Sequence, residues 1–140
     1  MKFSTFFLFF SLFIYLSAVG YGFVYPQPIF VSEDSPLALL MRNMYEEATL
    51  IRQAILEKRS PKDVRKQFKA IYTATPTDPQ VHDENFIPFS DNFLTALDQI
   101  YNNEDNTVEN FNAMVASCVA CHRHYCPGPI EKIQKLYIYP

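Results

Sequence analysis

The sequence predicts an all-α fold, a four-helix bundle in a single domain, on three observations. Apolar residues recur at spacings of three and four along most of the chain, helix-start residues precede the periodic runs, and one long proline-bearing connection separates the second run from the third. A chain of 140 residues is long enough to bury a core in one domain without disulfides to hold it.

The bundle is preceded by two other segments. Residues 1–20, MKFSTFFLFFSLFIYLSAVG, carry one cation at Lys2, a phenylalanine-rich apolar run from Phe6 to Leu16, and then the small residues Ser17, Ala18 and Gly20. That is the pattern of a signal peptide, with cleavage expected after Gly20. The run is short for a full membrane span; if it stayed uncleaved, it would leave the protein membrane-associated. Residues 21–34, YGFVYPQPIFVSED, hold two prolines and no helical period, so they read as an extended lead-in.

The bundle is expected over residues 35–126. Ser35 and Pro36 are a capping residue and a proline at the first helical position, where a missing N–H costs nothing. Leu37, Leu40, Met41, Met44, Ala48, Ile51 and Ile55 then form one apolar stripe, with Arg42, Glu46, Glu47 and Arg52 on the other face. Ser60 and Pro61, with Asp63 behind them, signal a second helix carrying Val64, Phe68, Ile71 and Tyr72. Residues 73–85 have no periodicity and read as a connection that crosses the bundle.

A third helix presents Phe89, Phe93, Leu97 and Ile100 inward; Pro88 and Ser90 both resemble boundary residues. Asn106 and Glu109 make a capping box for the fourth, whose stripe is Val108, Phe111, Val115, Cys118, His122 and Tyr125. Pro127 and Pro129 end it. The tail, 127–140, is expected to pack back through Ile130, Ile133, Leu136 and Tyr137, either as a short helix or as an extended strap.

The fourth helix carries CVACHRHYC, residues 118–126. C-x-x-C-H is the attachment motif of a c-type haem. Cys118 and Cys121 would form the thioether bonds, and His122 would ligate the iron from the proximal side. Their i, i+3, i+4 spacing puts all three on one side of the helix. An export signal agrees with this chemistry, because haem c is attached outside the cytoplasm.

Two other uses of the cluster compete. Zinc would take Cys118, Cys121, Cys126 and either His122 or His124, but such ligands usually come as two separated pairs on small loops. A redox disulfide of the thioredoxin type belongs at the start of a helix after a strand, whereas this C-x-x-C lies near a helix end.

Four helical runs ending in CVACHRHY resemble the class II c-type cytochromes, the cytochrome c-prime group and its low-spin relatives. The resemblance spans roughly residues 35–126, and Tyr125 matches an aromatic that often follows the histidine by three; Cys126 stands where the family often has a basic residue. It implies an antiparallel four-helix bundle with one covalent haem c inside, attached by the haem c maturation machinery, in the periplasm.

It also implies that the sixth ligand decides the function. A methionine on the first helix would make an electron carrier, with Met41 the first choice and Met44 the second; an apolar residue there would leave a five-coordinate binder of small gases such as NO or CO. Both methionines also suit plain core packing. His82 is an outside candidate for the distal ligand, Arg42 for a propionate partner, and Phe68, Phe93 and Phe111 for the walls of the haem pocket.

No set of acid and base groups points to an enzyme. Removing residues 1–20 leaves 11 basic and 15 acidic side chains, with no basic cluster to suggest nucleic acid. The net negative surface suggests redox partner proteins with a basic docking patch. Cys126 is either a buried thiol or the link of a disulfide-joined homodimer.

Overall fold

Ser35 opens the first helix as expected. Its hydroxyl accepts a hydrogen bond from the Ala38 amide at 3.2 Å, Pro36 occupies the first helical position, and α1 runs from Pro36 to Leu56. The helix closes through the Arg59 amide bonding to the Ala54 carbonyl at 2.8 Å and Lys58 to Ile55 at 3.0 Å. Lys58 takes the left-handed conformation there, φ 55°, a position usually given to glycine.

In this computed structural model, residues 34–103 and 107–139 are described. They belong to one compact unit, Glu33–Pro140. The expected signal peptide, 1–20, and all but the last residue of the lead-in, 21–34, lie outside the described residues. The fold is all-helical, with no strand among the described residues.

The second helix is shorter than the Ser60–Pro61 signal suggests. It begins only at Arg65 because Asp63 accepts the Arg65 amide at 3.0 Å and the Arg65 guanidinium as well. One α-helical turn, α2 (Arg65–Phe68), passes directly into a 3₁₀ turn, Lys69–Tyr72. The connection behind it contains a second 3₁₀ turn, Pro79–Val81, capped by the Asp78 side chain.

α3 spans Phe86–Asn102 and starts before Pro88, not at it. Pro88 falls in the first turn, where backbone N–H groups have no intrahelical partner and its missing donor is harmless. The inward stripe therefore begins with Phe86 and Ser90 and continues through Phe93, Leu97 and Ile100. Ser90 is 1% exposed, and its hydroxyl donates to the Phe86 carbonyl at 2.9 Å, which satisfies the one buried polar side chain of the described core.

α4 spans Thr107–Tyr125 and packs along α3 as the most extensive helix pair. Its buried face is Phe111, Met114, Val115 and Val119, rotated from the expected stripe. Val108 is 39% exposed, and Cys118 and His122 fall on the partly buried flank.

The tail takes the short-helix form: α5 (Ile130–Gln134) leads through a turn that buries Leu136 into a short strap without regular structure that buries Ile138. Asn112 pairs with Ile138 through two hydrogen bonds of 2.8 and 2.9 Å, and the Arg52 guanidinium donates to the Leu136 carbonyl at 3.0 Å. The starts of α1 and α3 meet the end of α4 at one end of the unit. The opposite helix ends meet around an open depression of about 620 Å³ beside Lys58, Arg59 and Glu109.

Candidate functional site

Where α1, α3 and the end of α4 meet, they leave a cavity of about 320 Å³. Leu37 and Met41 of α1 form one wall, Pro76 and Val81 of the connection another, and Phe86 of α3 a third. α4 supplies Cys121, His122 and Tyr125, with Cys126 just past its end. The volume falls at the low end of small-molecule sites, and the walls are mostly apolar with a few donor atoms, as such sites are.

His122 is held by its own helix end. The Cys126 amide donates to the His122 carbonyl at 3.0 Å, which folds the chain back so that the Cys126 carbonyl lies 3.1 Å from His122 Nδ1. A carbonyl can only accept, so in this contact Nδ1 is the donor and Nε2 keeps its lone pair; the Cys126 thiol beside the same nitrogen would instead donate to an unprotonated Nδ1. Metal-bound histidines are oriented this way, with the second nitrogen donating to a carbonyl or carboxylate. Burial holds the imidazole below its ordinary pKa, opposed by the hydrogen bond to Cys126, and this favours the neutral form that ligates.

The thiols are protonated. Burial pushes Cys118 up to about 12, with Cys121 nearby adding to it, and burial pushes Cys121 up to about 11. Neither is a reactive thiolate near neutral pH, unlike the thiol of a disulfide oxidoreductase. All three cysteines are free. The Cys126 sulfur lies 3.3 Å from His122 Nδ1.

Met41 and His122 therefore share one cavity with Cys121, while Cys118 is not on its wall. Cys118 packs against the core, within electrostatic reach of Tyr137. Met44 is 7% exposed in the core and does not line the cavity. Arg42 is on the surface and forms a two-point ion pair with Asp34. His82 is exposed, with its ring 4.5 Å from that of Phe86.

The expected aromatic walls are corrected. Phe68, Phe93 and Phe111 lie in the core, Phe68 against Phe93 at 6.1 Å, and none reaches the cavity. Phe86 and Tyr125 take that place, 5.9 Å apart and edge to face. Tyr125 donates its hydroxyl to Asp83, which ties the connection to α4. That bond holds the Asp83 carboxyl below its usual range. Phe86 was legible as the residue four before Ser90 and seven before Phe93, a helical spacing hidden by Pro88.

The cavity brings together apolar walls, one held imidazole, one thioether and the thiol of Cys121. The second thiol of the motif, Cys118, packs against the core and is not on the cavity wall. Among the described residues, no three His, Cys, Asp or Glu side chains come together to hold a metal ion, so the zinc set lacks its geometry. No helix of the described residues is long and apolar enough to cross a membrane. No protein-family model, curated protein or solved structure matches the chain.

Proposed function

We propose that the protein is an exported monohaem c-type cytochrome that carries electrons. The observation that carries this reading is the shared cavity: Met41 and His122 line it together, Cys121 is on its wall, and His122 Nδ1 is engaged by the Cys126 carbonyl. With the C-x-x-C-H motif at 118–122, that arrangement supplies a proximal imidazole, a thioether and an attachment thiol.

A haem held there supplies one-electron redox chemistry. The chain's part is to present a neutral His122, to offer Met41 from α1, to exclude water with Leu37, Val81 and Phe86, and to anchor the cofactor through Cys121 and Cys118. Cys118 is not on the cavity wall, so attachment there requires its surroundings to open. In this reading the architecture is an antiparallel four-helix bundle whose second helix is reduced to α2 and the 3₁₀ turn behind it. Residues 1–20 direct export to the periplasm, where the maturation machinery attaches the haem, and a redox partner with a basic surface exchanges the electron.

The test is the oxidised and reduced absorption spectrum of protein secreted by a host with the haem c maturation machinery. A low-spin spectrum with a sulfur-to-iron charge-transfer band, lost in Met41→Ala and kept in Met44→Ala, is the expected result. A high-spin spectrum that shifts with carbon monoxide would replace the electron carrier by a gas binder, and absence of covalent haem would sink both.

A further inference from the structure

We propose that the connection from Thr73 to Asn85 and the first half of α3 form the docking face for a basic one-electron redox protein; this rests on the reading of the cavity as a haem site. The first observation is the distribution of charge. No lysine or arginine occurs from Ala70 to His122, a stretch with eight acidic side chains, while residues 58–69 hold six of the chain's 12 cations. The two blocks are neutralised very differently.

Away from the cavity, acids face cations, as Asp63 and Asp98 pair with Arg65 and Glu47 with Lys62, and on the α1 side of the cavity Asp34 pairs with Arg42. On the connection and α3, by contrast, Asp83 and Asp91 accept from the neutral hydroxyls of Tyr125 and Tyr72. A neutral donor holds a carboxylate in place without cancelling its charge. Asp78 and Glu84 lie in the same connection, so this face is acidic, with Arg123, next to His124 in the chain, at its margin.

The second observation is apolar and aromatic. Ile87 is 47% exposed in the first turn of α3, beside this acidic rim. From the cavity walls Phe86 and Tyr125, ring contacts continue outward to exposed His82 at 4.5 Å from Phe86, and through Phe89, 5.9 Å from Tyr125, to exposed His124 at 5.5 Å. An apolar centre within a charged rim is the anatomy of a small transient interface, and the sign of the rim selects a cationic partner. On docking, one electron leaves the reduced protein and enters the partner's oxidised centre, with no bond made and no proton moved.

The experiment titrates ¹⁵N-labelled, haem-loaded protein with a lysine-rich cytochrome c as the model partner, read by amide shift changes. Shifts are expected at residues 82–91 and 124. Glu84→Lys should weaken binding about tenfold, and Ile87→Ala should weaken it at high salt, where the charge contribution is screened. Glu46→Lys, the same charge change on the exposed face of α1, should have a much smaller effect.

Equal effects of Glu84→Lys and Glu46→Lys, shifts centred elsewhere, or self-association through residues 58–69 that outcompetes the probe would overturn the docking face alone. A preparation without haem absorption would overturn the reading of the site, and this proposal with it.

Discussion

His122 turns Nδ1 toward the carbonyl of Cys126, 3.1 Å away, and Cys126 precedes a proline. The helix has ended there, so that carbonyl has no amide one turn further on to satisfy it, and the imidazole N–H takes the role. The carbonyl contact favours the Nδ1–H tautomer, and the Cys126 thiol, 3.3 Å from the same nitrogen, favours the other. Long-range ¹H–¹⁵N spectra of the haem-free protein above pH 7.5 should show His122 in the Nδ1–H form; an Nε2–H pattern would mean that the carbonyl does not orient the ring.

Met41 and Met44 differ by less than one helical turn but have different surroundings, a cavity wall and the closed core. Met44→Ala should cost about 2–5 kcal/mol of unfolding free energy, because it leaves an unfilled hole among packed side chains. Met41→Ala removes atoms from a wall that already faces open space, so the loss in haem-free protein should be clearly smaller. Urea unfolding of both variants tests this, and the reverse order would place Met41 in the core.

The contrast explains how far the sequence could be read. Ser35, Pro36 and the stripe behind them specify α1 locally, through a cap and a period, and the fold follows them. The start of the second helix was less legible, because Asp63 engages Arg65 across two residues and competes with the Ser60–Pro61 signal. Core and cavity wall look alike in a stripe. Phe68, Phe93 and Phe111 have the right spacing for either role, and only tertiary packing assigns them to the core. The connection's contribution, Pro76 and Val81, has no period to reveal it, and the motif's spacing does not tell that Cys118 packs on the core while Cys121 lines the cavity.

Asp63 makes the acid sensitivity of α2 specific. The Arg65 guanidinium, and then the Arg65 amide, hold its carboxyl down at about 2, against an ordinary value of 3.8. Its folded pKa is depressed, so the stabilisation is fully present above 3.8 and is lost as pH falls from there toward 2. Asp63→Asn should flatten the pH dependence of stability in that window and leave the dependence above pH 5 unchanged, measured by denaturation at a series of pH values. An unaltered slope below pH 4 would show that solvent screening removes the effect of this exposed pair.

Asn112 holds the tail in place by acting as a partner strand for one residue: its side-chain amide donates to the Ile138 carbonyl at 2.8 Å while its oxygen accepts the Ile138 amide at 2.9 Å. Two backbone groups beside a buried side chain lose their partners in Asn112→Ala, which should cost about 1–3 kcal/mol. The loss should be local before it is global, since Ile133 and Leu136 still anchor the segment. Hydrogen exchange should therefore accelerate first at residues 136–139, and Cys118, within electrostatic reach of Tyr137, should become more reactive toward a thiol reagent in haem-free protein. Unchanged Cys118 labelling, with accelerated exchange in the strap, would mean that the strap does not shield this thiol.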